Sequence, residues 1–439
     1  MNKALKLLLI FFLIAGCSFH KNSKFWNKEN LKIEKIEKIK KIEKIKKTEK
    51  ILKKKEKINS EFNSNLTINL PSNFDKRSTF DSTNNDGRVN YEGKLETKSK
   101  YKFSKIKKFN EYESQIITSK KGVIFFENKG AILNFSKNSN LLWKKNYYSK
   151  SEQNKKPILF FASNKEFLIV ADTIGKFYVI DINTGELIWT KINSAPFNSQ
   201  IKIYNDKFFV IDFDNTLKGY LIKNGEIILD VKTENTLIRS QKKLSIVVAN
   251  ENVYFNNTLG DISSVNIESG ELIWQTSTQN YLIYNDSLFL KTSEMITDNK
   301  NLYFSNNKNQ FFSLNAKTGT LNWKQDINSS LKSTIVGNLI FAVTMNGYLV
   351  VMDKNNGNIV KINNIFLGLK KNKNIKPTGF IIGSNSIFIT TSHGRLLDID
   401  LKSGNIKSII KIDNNKINRP NIFNQDMFIT TENSIIKLN

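Results

Sequence analysis

From residue 88 onward, Val, Ile, Phe and Tyr recur in short runs with approximate alternation, and each run ends in a polar or Gly-containing turn. Alternation at a period of two puts successive side chains on opposite faces of a strand, and Asn-Gly or Ser-Gly pairs supply the positive φ of a tight reversal. Three units written out are KFFVIDFDNTLKGYLIKNGEIILDV, NVYFNNTLGDISSVNIESGELIWQT and SIFITTSHGRLLDIDLKSGNIKSII. Each reads as apolar strand, polar turn, second strand, Gly turn, third strand. No ten-residue helical pattern intervenes.

The units are copies. The phrase DINTGELIW at 181–189 returns as NIESGELIW at 266–274 and as NAKTGTLNW at 315–323. Its turn position falls at Ser139, Gly185, Gly225, Gly270, Gly319, Gly357 and Gly404, a spacing of about 44 residues. Repeats of three to four antiparallel strands at this period predict a β-propeller, whose sheets bury their faces against neighbouring blades. Four residues after the turn stand Trp143, Trp189, Trp274 and Trp323, large enough to dock one blade on the next. Leu229, Lys361 and Ser408 occupy that place in the other three units, where docking is degenerate. Seven units are complete, and an eighth, DMFITTENSIIKLN, stops at Asn439 one or two strands short. The segment GRVNYEGKLETKSKYKF, ahead of the first full unit, can supply the missing strand and remove a free sheet edge. The expectation is an all-β fold, an eight-bladed propeller over 88–439, with seven blades as runner-up.

What precedes the propeller differs in kind. The start, MNKALKLLLIFFLIAGCSFH, has a basic n-region, a short apolar core and small residues before Cys17, and so reads as an export signal over 1–16. Ile14-Ala15-Gly16-Cys17 resembles the bacterial lipobox, which implies a diacylglycerol on the Cys17 thiol and Cys17 as the mature N-terminus. Cys17 is the sole cysteine, so it has no disulfide partner. A plain signal with an incidental Cys, or a short anchor helix, is the alternative. Ser18 rather than Asp after the Cys resembles lipoproteins sent to the outer membrane. Residues 17–58 form a low-complexity tether with Ile at 33, 36, 39, 42, 45 and 51. A step of three drifts around a helix instead of making a face, so a coiled coil is disfavoured and a solvated helix stapled by Lys/Glu pairs is favoured. Its lysines either space the body from a membrane or lie on anionic head groups. Residues 59–87, rich in Asn and Ser, read as flexible linker.

The chain carries a formal charge of +27, divided as +11 over the first 85 residues and +16 over the rest. Export removes nucleic acid as the partner of that charge.

The docking phrase resembles the repeat of the pyrroloquinoline-quinone-like propellers, in which two families meet. One is the quinoprotein dehydrogenases, with quinone and Ca²⁺ on the axis, an Asp base and a vicinal disulfide. Here no second Cys exists, His20 lies in the tether and His393 in a hairpin turn, and Asp212 and Asp214, or Asp398 and Asp400, read as turn and solvent-face residues. No catalytic, metal or cofactor site is expected. The other is the outer-membrane protein assembly factor BamB family, which GDISSVNIESGELIW at 260–274 resembles in spacing and character. This resemblance implies a non-enzymatic periplasmic lipoprotein on the outer membrane. It would bind the periplasmic domains of the barrel-forming subunit of the β-barrel assembly machinery, and unfolded outer-membrane proteins as further partners. It also implies a partner-binding Leu-Arg element, matched here by Leu237, Ile238 and Arg239 in NTLIRSQKKL. A basic loop with an incidental Arg is the other reading of that segment. The acidic loop that the family places one blade later is replaced by SLFLKTSEMI at 287–296, where Glu294 is the one acid. A quinone-dependent dehydrogenase-like propeller and a generic periplasmic protein-binding propeller are the competing functions.

Overall fold

The computed structural model describes residues 68, 70, 88–110, 113, 115–119, 121–233, 243–279, 290–366 and 375–439. Among these residues, eight four-stranded antiparallel sheets form the blades of a propeller. The first seven span 117–145, 159–192, 202–232, 246–276, 296–325, 334–364 and 377–411, and each runs in chain order from its innermost strand to its outermost. The eighth takes three strands from 421–438 and its outermost from the other end of the chain, Thr97–Lys102. Tyr101 pairs with Ile435 and Lys100 with Ile436 in the antiparallel ladder that closes the ring. The signal, Cys17, the tether, and Leu237, Ile238 and Arg239 lie outside the described residues.

Burial follows position in the blade. The second strands, such as Phe167–Asp172 and Lys207–Ile211, lie between neighbouring sheets and are almost wholly buried, which is why they read as continuous apolar runs. The outermost strands, such as Leu187–Ile192 and Leu272–Thr276, face solvent along most of their length.

The indole is the exception on each outer strand. Trp143, Trp189, Trp274 and Trp323 donate their Nε1–H to the carbonyls of Asn183, Ile222, Ala316 and Lys354, each in the blade that follows, at 2.8 to 3.1 Å. The rings lie on the turn glycines of that blade: a Cβ on Gly319 would come 2.5 Å from the Trp274 ring, and one on Gly357 2.5 Å from Trp323. Those glycines also hold φ of +72° and +74°, so both the backbone and the contact require the absence of a side chain. A β-bulge immediately precedes each of these tryptophans on its strand: Val179 faces Trp189, but Ile180 faces Leu187. The extra residue swings the strand so that the indole turns inward.

The other positions of the ring are less degenerate than the sequence suggests. Leu229 is buried and its Cδ2 approaches the place of a Cβ on Gly270. Lys361, also buried, donates from Nζ to the Lys402 carbonyl at 3.2 Å, while Asn363 covers Gly404. At the seam between blades eight and one, the Tyr101 hydroxyl donates to the Lys137 carbonyl at 3.2 Å, two residues before Ser139 with its φ of +62°. Trp143 stands in the same relation to Asn183 and Gly185. Only Ser408 has no such turn to meet, because the next blade is finished by the N-terminal strand.

That strand is led in by a clamp on blade seven. Arg88 Nε donates to the Gly383 carbonyl at 3.1 Å and Val89 N to Ile382 O at 2.9 Å, while Leu95 N donates to Asn439 O of blade eight at 2.7 Å. Ile68, in the stretch read as linker, is buried with Val336, Phe341 and Ile365.

Replacing Trp323, which is 9% exposed, by Ala should cost about 3 kcal/mol. Ser408→Ala, at the equivalent position, should stay within about 0.5 kcal/mol. Urea unfolding midpoints of the two variants against the parent check the contrast.

Candidate functional site at the axial mouth

Because every blade starts at the axis, the innermost strands run parallel to one another, as the Ser199–Leu244 bridge between blades three and four shows. Their beginnings therefore gather at one end of the ring. Polar side chains link them there: Gln200 Oε1 accepts from Ile246 N at 3.3 Å, Ser245 Oγ from Met295 N at 2.8 Å, and Thr378 Oγ1 donates to Ile417 O at 2.7 Å.

The same end carries a charge cluster. Lys202 opens the inner strand Lys202–Tyr204, while Lys243, Glu294, Lys332 and Arg419 stand two or three residues ahead of Ile246–Ala249, Ile296–Thr297, Thr334–Val336 and Asn421–Phe423. Lys243 Nζ lies 3.3 Å from Glu294 Oε1, with side chains only 6% and 15% exposed, and also donates to the Glu113 carbonyl at 3.4 Å. Arg419 Nε donates to the Phe380 carbonyl at 2.9 Å. Farther out, Lys416 Nζ donates to the Asn110 carbonyl at 3.3 Å and lies 5.8 Å from the centre of the Phe109 ring.

Burial by itself would raise the Glu294 pKa, yet the attraction of Lys243, Lys332, Arg419 and Lys202 outweighs it and holds the carboxyl well below its ordinary range. These cations hold Glu294 in its anionic form at neutral pH. Burial lowers the Lys416 pKa, with Glu113 opposing and Lys291 reinforcing the shift. A second ionisable group lies in blade two. Tyr148 donates to Asp172 Oδ2 at 2.5 Å, and Asp172 Oδ1 accepts from Ile174 N and Lys176 N. Burial raises Asp172 to about 6 despite these bonds. Its turn-holding role recurs in Asp212, which accepts from Asp214 N and Thr216 N, and in Asn257, which accepts from Leu259 N and Asp261 N. Asp172 is accordingly a structural carboxyl. Asp212 is a turn residue too, but a buried one rather than a solvent-face one.

Among the described residues, no three His, Cys, Asp or Glu side chains are placed to hold a metal ion. His393 sits in the exposed turn after Ser386–Thr391, its Nδ1 2.9 Å from Ser392 Oγ. The Leu237–Arg239 segment falls between the outer strand of blade three, Ile227–Lys232, and Lys243 of the axial cluster. The cluster itself escaped sequence reasoning, which took Glu294 only as a departure from an acidic loop. A charged residue just ahead of each inner apolar run, in KLSIVV, EMIT, KSTIV and RPNIF, was the available signal.

Residues 128–363 match the family model described as outer membrane protein assembly factor BamB. No curated protein sequence matches the chain significantly. Among solved structures, BamB from Moraxella catarrhalis aligns with a TM-score of 0.64 at 16% identity, over 79% of this chain and 100% of that one. The quinohemoprotein alcohol dehydrogenase ADHIIG from Pseudomonas putida HK5 aligns at 0.58 and 11% identity, over 79% and 76%. A europium-containing methanol dehydrogenase aligns at 0.61 and 10%, over 79% and 87%. At these identities the structural likenesses establish the propeller fold, shared by scaffolds and enzymes alike.

Because the Glu294 pKa is depressed in the fold, its contribution to stability is complete above the unfolded value near 4.5 and is lost as pH falls below it. Glu294→Gln should cost about 3 kcal/mol at neutral pH by stranding Lys243, and should flatten the acid limb of the stability profile. Asp172, with its raised pKa, acts in the opposite sense: its contribution is present below the ordinary value of 3.8 and is lost as pH rises toward about 6. Urea unfolding across that pH range, on the parent and on Glu294→Gln, measures both.

Proposed function

Because the chain belongs to the outer membrane protein assembly factor BamB family, we propose that it is a non-enzymatic scaffold lipoprotein of the outer-membrane β-barrel assembly machinery. The observation that carries this reading is the family match over residues 128–363, which spans the greater part of seven blades' worth of closing phrases. In this reading a lipid on Cys17 holds the protein at the periplasmic face of the outer membrane. Two or three acyl chains anchor firmly where a single chain binds only marginally. The propeller engages the periplasmic domains of the barrel-forming subunit, and unfolded outer-membrane proteins are the further partners.

Leu237, Ile238 and Arg239 are assigned to the partner contact. An Arg offers a fork of donors to carbonyls or carboxylates, and its aliphatic neighbours bury apolar area around it, the composition typical of an interface anchor. The dehydrogenase reading is disfavoured by residue inventory: with Cys17 as the sole cysteine no vicinal disulfide can form, and no three His, Cys, Asp or Glu side chains among the described residues are placed to hold a metal ion.

Affinity purification of the full-length lipoprotein from detergent-solubilised membranes should recover the barrel-forming subunit, and Arg239→Glu should reduce that recovery at least tenfold. Equal recovery by the variant removes Arg239 from the interface, and absence of the subunit from the parent's eluate removes the scaffold reading. Cys17→Ala should move the protein from the membrane to the soluble fraction on cell fractionation.

A further inference from the structure

Ten large aliphatic side chains are exposed among the described residues, and all ten sit on outermost strands. Eight of them occupy the first two positions of those strands in blades one to five, immediately after the closing turn. Because each blade runs back and forth from the axis outward, its first and closing turns lie at the end of the ring opposite the axial mouth. The aliphatics therefore stud the rim of that far end. The fold does not cover them: among the described residues no strand pairs with the outer edge of Leu187–Ile192, Ile227–Lys232 or Leu272–Thr276. Leu187, Ile188, Ile227, Leu272 and Ile273 remain 43% to 57% exposed. Grouped apolar surface left in water, rimmed by polar residues, marks a contact.

Blades two, three and four add a charge of one sign. Glu186, Glu226 and Glu271, all exposed, directly precede the aliphatic pairs that open the three outermost strands. Trp189 lies on Gly225 and Leu229 beside Gly270, so these strand starts stand next to one another around the rim. The other turns of the same blades at this end expose Glu166, Asp206, Glu251 and Glu268. Against them stand Lys165, Lys207 and Lys223, and Lys207 is already paired with Glu268 at 2.7 Å. Asp181 is spent on its own turn, accepting from Asn183 N and Thr184 N, with Lys121 of blade one acting on it. Every residue of these turns is described. In a chain of formal charge +27, this is an acidic sector. Blade construction does not demand it. Blade five opens its outermost strand with Thr320-Leu321-Asn322 and blade eight with Glu96-Thr97-Lys98, and both dock on their neighbours.

We propose that the far-end rim of blades two to four is a docking surface for a polypeptide segment rich in Lys or Arg and in aliphatic side chains. Its cations sit on Glu186, Glu226 and Glu271, and its apolar groups lie among the leucines and isoleucines that follow them. Complementary charge selects this occupant, and the same carboxylates repel an anionic lipid surface. Exposed charges are screened by salt, so the burial of aliphatic area supplies the greater part of the attraction and the carboxylates supply the choice of partner. The proposal does not depend on the assembly role.

The test adds full-length protein in neutral detergent to a fluorescein-labelled peptide alternating Lys and Leu, and follows anisotropy. Saturable binding that weakens with added NaCl is expected. Peptides alternating Lys with Ser, or Glu with Leu, should bind about tenfold more weakly. Combining Glu186→Lys, Glu226→Lys and Glu271→Lys should cost about tenfold in affinity for the Lys-Leu peptide while leaving the thermal midpoint unchanged, because all three sites are exposed. Leu272→Ser with Ile273→Ser should weaken the same binding without altering its salt dependence. No saturable binding, equal binding of the Lys-Leu and Lys-Ser peptides, or unchanged affinity in both variants overturns the proposal. Sedimentation equilibrium addresses the other occupant: self-association of the parent that the charge-reversed variant abolishes assigns the rim to a second copy and overturns a separate partner.

Discussion

The ring depends on one interaction repeated around its circumference: a side chain from the outermost strand of every blade but the seventh laid on the turn of the next. Where the side chain is an indole, its N–H satisfies a turn carbonyl and its face covers a glycine that can carry no Cβ. The contact is short-range, apolar at its centre and capped by one hydrogen bond. It fixes the angle between blades as well as their separation, since the donor must reach one carbonyl while the ring lies flat on the turn. That Leu229, Lys361 with Asn363, and Tyr101 take over the role elsewhere shows that the ring needs the geometry more than the residue type.

Fixing the circumference also fixes the centre. With eight blades held at set angles, the inner strands must converge with their beginnings at one end, and whatever precedes them is forced together. In this chain those residues are Lys243, Glu294, Lys332 and Arg419, with Lys202 opening its strand. A charge cluster drawn from five blades separated by more than two hundred residues of sequence is thus a consequence of packing at the rim.

The blade period and the closing phrase were legible because each is local: a turn, an alternating strand and an aromatic at a fixed offset. The closure by residues 97–102 was legible as well, since the last unit was one strand short and a strand-like segment stood free at the other end. Three things were not. The role of Tyr101 was hidden because its strand comes from the other end of the chain and follows no closing turn, so no phrase marks it. Lys361 looked like a lost docking residue because a lysine can bury its stem and still deliver a hydrogen bond. The axial cluster was missed because its members are isolated in sequence, each only a single charge ahead of an inner apolar run, and the register of the blades is what places them at one level.

The seam has a consequence for the order in which this molecule can form. Tyr101 pairs with Ile435, so the eighth blade cannot exist until residue 435 has been synthesised and brought to residue 101. Each earlier blade folds from a contiguous stretch and adds to its predecessor, a low-contact-order process, while the closing ladder must wait to join the two ends. The entropic cost of that wait is modest, growing by only about 0.6 kcal/mol for each doubling of the loop. During it, however, the strands Thr97–Lys102 and Ser434–Leu438 present bare edges. Until the two ends meet, those edges stay open, and the ladder of Tyr101 with Ile435 is what closes them.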